Sequence, residues 1–212
     1  MAREGETSMN QKAFFAVENL AFGHHRNQTL FENLSFSLSK GECLGITGPS
    51  GSGKSSLAHV LAGHLKPRRG EIWLEGQRVD GRPSRSVFIV HQQNDLFPWL
   101  KVADQIKFAM NEPDQERVKQ LIDLTQLNGF ERRWPYELSG GMQKRLSLAR
   151  ALAVSPKVLI LDEAFGSLDF ALRLNIFKEL KEIWRQSQST IILISHDPRD
   201  LEQIAQREII LH

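Results

Sequence analysis

"CLGITGPSGSGKSSLAHVLAG", Cys43 to Gly63, decides how this chain is read. Its first five residues, Cys43 to Thr47, form a short continuous apolar run, the pattern of a strand buried on both faces. Lys54 to Ala62 has the periodicity of a helix, and Gly63 supplies its stop. Between them, Gly48-Pro49-Ser50-Gly51-Ser52-Gly53-Lys54-Ser55, with Ser56 after it, fits the pattern G-x-x-x-x-G-K-[ST]. A strand before and a helix after are the context this pattern requires. The glycines let backbone N–H groups wrap phosphate oxygens with no Cβ in the way, and the helix start adds its positive end. On this reading Lys54 reaches the β- and γ-phosphates of a nucleoside triphosphate and Ser55 ligates Mg²⁺.

A phosphate loop needs a carboxylate near its metal. "VLILD", Val158 to Asp162, is a second apolar strand, and it delivers Asp162 and then Glu163 to its C-terminal edge, where open α/β sheets bind ligands. The two adjacent acids divide the work: Asp162 holds Mg²⁺ and Glu163 orients and polarises the attacking water. His196 ends the next apolar run, Thr190 to Ser195, and Gln92 follows "VFIVH" in the same way. Both stand where they meet the γ-phosphate, with Gln92 also toward the metal. Read singly, the histidine is as much a structural residue as a catalytic one.

The rest of the chain bounds the possibilities. Its 212 residues, 41% hydrophobic and 25% charged, suit one globular domain with a subdomain inserted. A net charge of +2 gives no footprint for nucleic acid, and the basic clusters Lys66-Arg68-Arg69 and Arg82-Arg85 read as solvated surface. Cys43 is the only cysteine, which excludes an internal disulfide and a cysteine metal site. Met1 to Lys12 is polar, without the apolar core of a signal peptide, and no apolar run approaches the ~20 residues of a membrane span. The expectation is a soluble protein, or one held peripherally at a membrane by other chains.

Phe14–Phe22 and Leu34–Leu38 alternate apolar with polar and read as half-exposed strands of a small antiparallel sheet. "EIWLEG", "VFIVH" and the final "EIIL" read as further strands. From Gln92 to Leu152 the texture turns helical: Val102–Met110, a helix opened by Pro113 and closed by Asn128-Gly129, and a third starting near Ser139. Another helix spans Asp169 to Arg185. Buried strands alternating with helices imply a mainly parallel sheet covered on both faces.

The third helix opens on "LSGGM", a second phosphate-facing start. Ser139 alone would suffice as its N-cap, and two helical glycines cost up to about 1 kcal/mol each, so Gly140 and Gly141 argue for close approach of a ligand. With this stretch the order of motifs resembles the ATP-binding cassette of ABC transporters over nearly the whole chain. Gly48–Ser55 matches its phosphate loop, Gln92 its glutamine loop, and Leu138–Met142 its signature, with Met142 where many members have glutamine. Val158–Glu163 matches the metal-carboxylate strand, Ser167-Leu168-Asp169 the loop at the dimer seam, and His196 the switch histidine.

The resemblance implies an α/β P-loop NTPase of RecA-like type, in which a mixed, mainly parallel sheet carries a small antiparallel β subdomain and an inserted helical signature subdomain at about 92–152. It implies a Mg²⁺-dependent ATPase whose two copies pair head to tail. Ser139, Gly140 and Gly141 of one chain then close over ATP held by the other, with Asp169 at the seam. The family places an aromatic ring on adenine after the first strand; here the aligned residue is His24, with Phe22 the alternative. Partners implied are a second cassette subunit, transmembrane permease subunits and, indirectly, a substrate-binding protein, at the cytoplasmic face of the inner membrane.

Leu96, Phe97, Pro98 and Trp99 read either as core of the helical subdomain or as a groove gripping a permease helix. With "LSGGM" and "FGSLD" they resemble importers of the nitrate, sulfonate and taurine class. Ala164 departs from that class, where proline is usual, and so does His91, where phenylalanine is usual. "GGMQKR" also occurs in lipid-trafficking cassettes, and an export role stays open. A soluble cassette acting on DNA or ribosomes is the reading of another class; the chain lacks the coiled-coil insert, zinc cysteines or second cassette such members carry. A non-catalytic nucleotide-gated module would lack Glu163, Lys54 or His196, and all three are present.

Overall fold

The computed structural model describes residues 13–25, 28–79, 81–91, 95–166, 168, 170–187 and 189–212. Two sheets organise them. β1 (Phe15–Phe22), β2 (Phe31–Leu38), β4 (Arg69–Leu74) and the two-residue β5 (Gln77–Arg78) form an antiparallel sheet in the order β2-β1-β4-β5. β3 (Cys43–Thr47), β6 (Val87–His91), β7 (Val158–Asp162), β8 (Thr190–Ile194) and β9 (Arg207–Ile210) form the second, in the order β6-β7-β8-β3-β9. Every pairing described in this second sheet is parallel. The fold is that of a P-loop NTPase, with the antiparallel pairs gathered into their own sheet.

The apolar runs that define the parallel strands divide cleanly between two cores. Val158 and Ile160 of β7, with Ile192 and Ile194 of β8 and Leu44 and Ile46 of β3, face a core shared with α1 (Lys54–Leu61) and the antiparallel sheet. Leu159 and Leu161, with Ile191 and Leu193, face the other core, built from α2 (Val102–Ala109), α3 (Gln115–Leu124), α4 (Gly140–Ala153), α5 (Phe170–Ser187) and α6 (Pro198–Ile204). A period of two on a strand buried on both sides gives this division. Gly45 supports it on the second face: a Cβ there would lie 2.3 Å from Leu201 Cδ2, so the glycine lets α6 close onto β3.

Three sequence expectations need correction. β1 is not half-exposed: Phe15, Val17, Leu20 and Phe22 all enter one core. The first two are odd-numbered and the last two even. A register irregularity between Val17 and Leu20, with Asn19 at φ 49°, supplies the extra residue that turns both pairs to the same side. The helix expected from Pro113 begins at Gln115 instead. Asp114 caps it by accepting from the N–H groups of Glu116 (2.9 Å) and Arg117 (3.2 Å), a side-chain bond that proline cannot make. It also ends at Leu124, before Asn128-Gly129, because Gln126 takes the left-handed conformation at φ 54°.

α2, α3 and α4 lie in the chain between β6 and β7 and pack on one another, with α4 also touching β6. Among the described residues no helix is long and apolar enough to cross a membrane.

Candidate nucleotide-binding site

β3 hands the chain to the phosphate loop at Gly48, and α1 takes it back at Lys54. Two loop glycines are required by geometry. Gly48 has φ 151°, and a Cβ on it would meet the Leu211 carbonyl oxygen at 2.3 Å. Gly53, at φ 93°, is the N-cap of α1 and gives that helix no side-chain cap. The first-turn N–H groups therefore have no side-chain cap to accept from them. Ser52 Oγ is buried there without a hydrogen-bond partner, and Gly51 at φ 84° borders open space. An orphaned hydroxyl beside an uncapped helix start is a cradle suited to phosphate oxygens.

Lys54 is almost fully buried, and its Nζ donates to the carbonyl oxygens of Gly48 and Pro49, both at 2.9 Å. The ammonium thus ties the two arms of the loop together. Ser55 Oγ donates to Asp162 Oδ1 at 3.2 Å. This clasp joins the start of α1 to the end of β7. Burial, the leading cause, pushes the Asp162 carboxyl above its ordinary range, and Glu163 adds to the rise. The Ser55 hydrogen bond and the nearby His91 and His59 oppose it. A cation between these oxygens would favour the ionised form.

Glu163 sits just beyond the strand at φ 47°, an uncommon conformation for a side chain of this size. Its N–H donates to Ile194 O at 3.0 Å, which ties it to the end of β8. Its Oε1 lies 3.4 Å from His196 Nδ1. The parallel order β7-β8-β3 therefore brings Asp162, Glu163, His196 and the phosphate loop to one edge. Gln92 and Asp169, with Ser167, lie outside the described residues.

His24 is exposed, and its Nε2 is 2.9 Å from Ser56 Oγ at the third residue of α1. Phe22 is 6% exposed and stacks on Phe31 with ring centroids 6.0 Å apart. Its ring is buried, so His24 is the ring open to solvent beside the loop. Ser139 caps α4 by accepting from Met142 N–H at 3.3 Å. Ser139 and Gly140 are exposed, and a Cβ on Gly140 would meet nothing within 4 Å. Among the described residues no packing demands that glycine. No hydrogen bond among the described residues joins Ser139–Gly141 to the phosphate loop.

Sequence reasoning missed a histidine group next to Asp162. His59 on α1 stacks on His91 at 5.2 Å, its Nδ1 is 3.2 Å from His64 Nδ1, and His91 is the cross-strand partner of Asp162. Burial first, then the charges on His91 and His64, lower the His59 pKa. The three come from separate segments, and only the spacing of His59 and His64 hinted at them. On the helical layer, Trp99 (68% exposed) and Phe108 (67% exposed) flank Phe97, so Trp99 is not core. Buried Gln105 holds this segment, accepting from Phe97 N–H at 3.0 Å and donating to Leu100 O at 3.2 Å.

Fold and edge together define an α/β protein that binds a nucleoside triphosphate on a phosphate loop. The ABC transporter family matches residues 31–166. A Bacillus cereus aliphatic sulfonates import ATP-binding protein, SsuB, is 38% identical over 185 residues, covering 86% of this chain and 73% of that one. A Bacillus cereus spermidine/putrescine import ATP-binding protein, PotA, is 36% identical over 197 residues, 89% of this chain and 60% of its own length. Among solved structures, the dimeric bacterial ABC transporter cassette MJ0796 superposes with a TM-score of 0.79 at 25% identity, covering 93% of this chain and 94% of that one. The chain belongs to the ABC transporter family, and it is an ATP-binding ATPase subunit of that family.

Proposed function

We propose that this ATPase powers a membrane importer as a pair of identical chains sharing two ATP sites. The observation that carries the reading is the clasp of Ser55 on Asp162, beside the Glu163–His196 contact, at the edge that also holds the phosphate loop. The whole chain acts as one cassette domain, with residues 92–152 as its helical signature subdomain.

Each side chain then has a task. Lys54 exchanges its bonds to the Gly48 and Pro49 carbonyls for β- and γ-phosphate oxygens. The amides of Gly48 to Ser56 cradle the phosphates, with Pro49 and Ser50 shaping the loop and Ser52 donating its free hydroxyl. Ser55 and Asp162, joined by Gln92, form the hard oxygen set that Mg²⁺ prefers. When bound, that ion offsets charge building on the transferred phosphoryl group. Glu163 aligns a water and draws its proton, while His196 steadies Glu163 and contacts the γ-phosphate. His24 lies against adenine.

Ser139, Gly140 and Gly141 of one copy close over the ATP of the other, with Asp169 at the seam. The exposed, space-lined position of Gly140 supports this, since no described residue of its own chain uses the room. The existence of a dimeric relative supports the pairing. Trp99 and Phe108 serve as aromatic anchors for a permease helix at the cytoplasmic face of the inner membrane. Kinship with SsuB favours a small sulfonate-like solute, delivered by a substrate-binding protein.

Glu163→Gln tests the shared site. In saturating Mg-ATP the variant should show twice the single-chain mass by light scattering, and return to the single-chain mass with ADP. A monomer under both conditions refutes the pairing.

A further inference from the structure

Behind His196 lies a polar network that the catalytic reading does not use. Arg173, on the first turn of α5, is 7% exposed. Its Nη2 donates to Asp197 Oδ2 at 2.9 Å, and its Nε lies 3.2 Å from Asp200 Oδ1, an ion pair without hydrogen-bond alignment. Asp200 accepts from Ser195 Oγ at 2.6 Å, and that oxygen in turn accepts from Asp197 N–H at 3.1 Å. Arg199 grips Asp197 from the solvent side, Nη2 to Oδ2 at 2.7 Å and Nε to Oδ1 at 2.9 Å. The Phe170 ring lies under both guanidinium groups, 4.6 Å from Arg199 and 5.7 Å from Arg173.

His196 is the one residue between Ser195 and Asp197. Both neighbours are fixed by this network, while its own ring has the 3.4 Å contact with Glu163. The far end of the network is also tied to Glu163. Past Glu163, Gly166 N–H donates to Glu163 O (3.1 Å) and Leu168 N–H to Phe165 O (3.1 Å), and α5 begins at Phe170. Phe165 is buried edge-on against Phe177 of α5 at 5.4 Å. Arg173 is therefore a bridge between the segment that carries Glu163 and the segment that carries His196. A buried ion pair adds little net stability over an apolar replacement of the same size, but it fixes directions that apolar packing leaves loose.

We propose that Arg173 is a positioning residue for His196. Through Asp197 and Asp200 it holds the Ser195–Asp197 segment to the start of α5, so the imidazole keeps its place relative to Glu163. The inference rests on the role given above to His196. Arg173 has no part in the nucleotide contacts assigned above, so on this proposal its loss acts on the chemical step and spares ATP binding.

The test uses the full chain with Arg173→Met, Arg173→Lys and Asp197→Asn. Arg173→Met should lower ATPase kcat by about tenfold to a hundredfold, the range of an ångström-scale misplacement, with KM for ATP held within about threefold. Arg173→Lys should recover part of the loss, since an ammonium reaches one carboxylate where the guanidinium spans two. The ring ¹⁵N signals of His196, identified by their absence in His196→Ala, should move in Arg173→Met while those of His24 stay. Should Arg173→Met not fold, Asp197→Asn keeps the capping oxygen and breaks the same bridge, and it should show the same changes. Unchanged kcat with unmoved His196 signals in a folded variant overturns the proposal, as does a KM rise that accounts for the whole loss. Wild-type kcat in His196→Ala would instead refute the histidine's role, and the ring signals would still decide whether Arg173 positions it.

Discussion

Replacing Gly48 and Gly51 separately by alanine separates two costs that a glycine-rich loop usually mixes. At Gly51 the backbone is left-handed at φ 84°, but an added Cβ meets nothing within 4 Å. Only the conformational penalty applies, about 1–2 kcal/mol. At Gly48 the φ of 151° is a region glycine alone enters readily, and the Cβ would sit 2.3 Å from Leu211 O and 2.8 Å from Ser52 Oγ. The first of these is a backbone atom of a residue whose own N–H is bonded to Thr47 O at 2.8 Å, so it cannot retreat without opening the β3–β9 edge. Strain of about 1–3 kcal/mol then adds to overpacking of about 1–3 kcal/mol, for roughly 2–6 kcal/mol. Each kcal/mol moves Tm by about 2–4 °C at this chain length. Gly51→Ala should thus lower the ligand-free Tm by about 2–8 °C and Gly48→Ala by about 4–24 °C. Circular dichroism melts of both variants, without nucleotide, give the comparison. Equal Tm values, or a larger loss at Gly51, would refute the steric argument.

Lys54→Met should cost the ligand-free fold about 3–6 kcal/mol, from its two charged carbonyl bonds. It should also abolish the rise in Tm caused by Mg-ATP; a rise equal to that of the wild type removes Lys54 from nucleotide contact. His59 predicts a pH effect. Burial and its histidine neighbours hold its pKa below the reference 6.5, so the unfolded chain takes up the proton first, and the stability present above pH 6.5 drains away as pH falls through that value toward the folded one. His59→Asn should flatten Tm between about pH 7.5 and 5.5, and an unaltered slope would show that His59 does not contribute.

How much of this was legible depends on whether a property is local. The phosphate loop could be read because glycine spacing, strand and helix all lie within Cys43–Gly63. The meeting of Asp162, Glu163 and His196 at one edge could be read because an unbroken apolar run fixes where a buried strand ends. β1 was misread because alternation was counted without the parity change between Val17 and Leu20, although the sequence carries it. The joining of His91 to His59 and His64, and the partners of Arg173, were out of reach. Their meeting depends on strand order and on how α5 lies against α6, and no spacing in the chain encodes either.

Strand order also explains why the site tolerates so little slippage. β6, β7, β8 and β3 are parallel neighbours, so four separated segments end at one edge. A one-residue slip of β7 would exchange Val158 and Ile160 for Leu159 and Leu161 between two cores of different shape. It would also carry Asp162 about 3.3 Å along the strand, which breaks a clasp now closed at 3.2 Å. The same side chains that bury the sheet therefore set the distance between Ser55 and Asp162. Glu163 is one step further on and turns at φ 47°; it inherits that register and meets His196 from β8, whose own register is fixed against β7 and β3 alike. The chemistry at this edge is held in place by apolar packing far below it, and the polar contacts complete an alignment the two cores have already imposed.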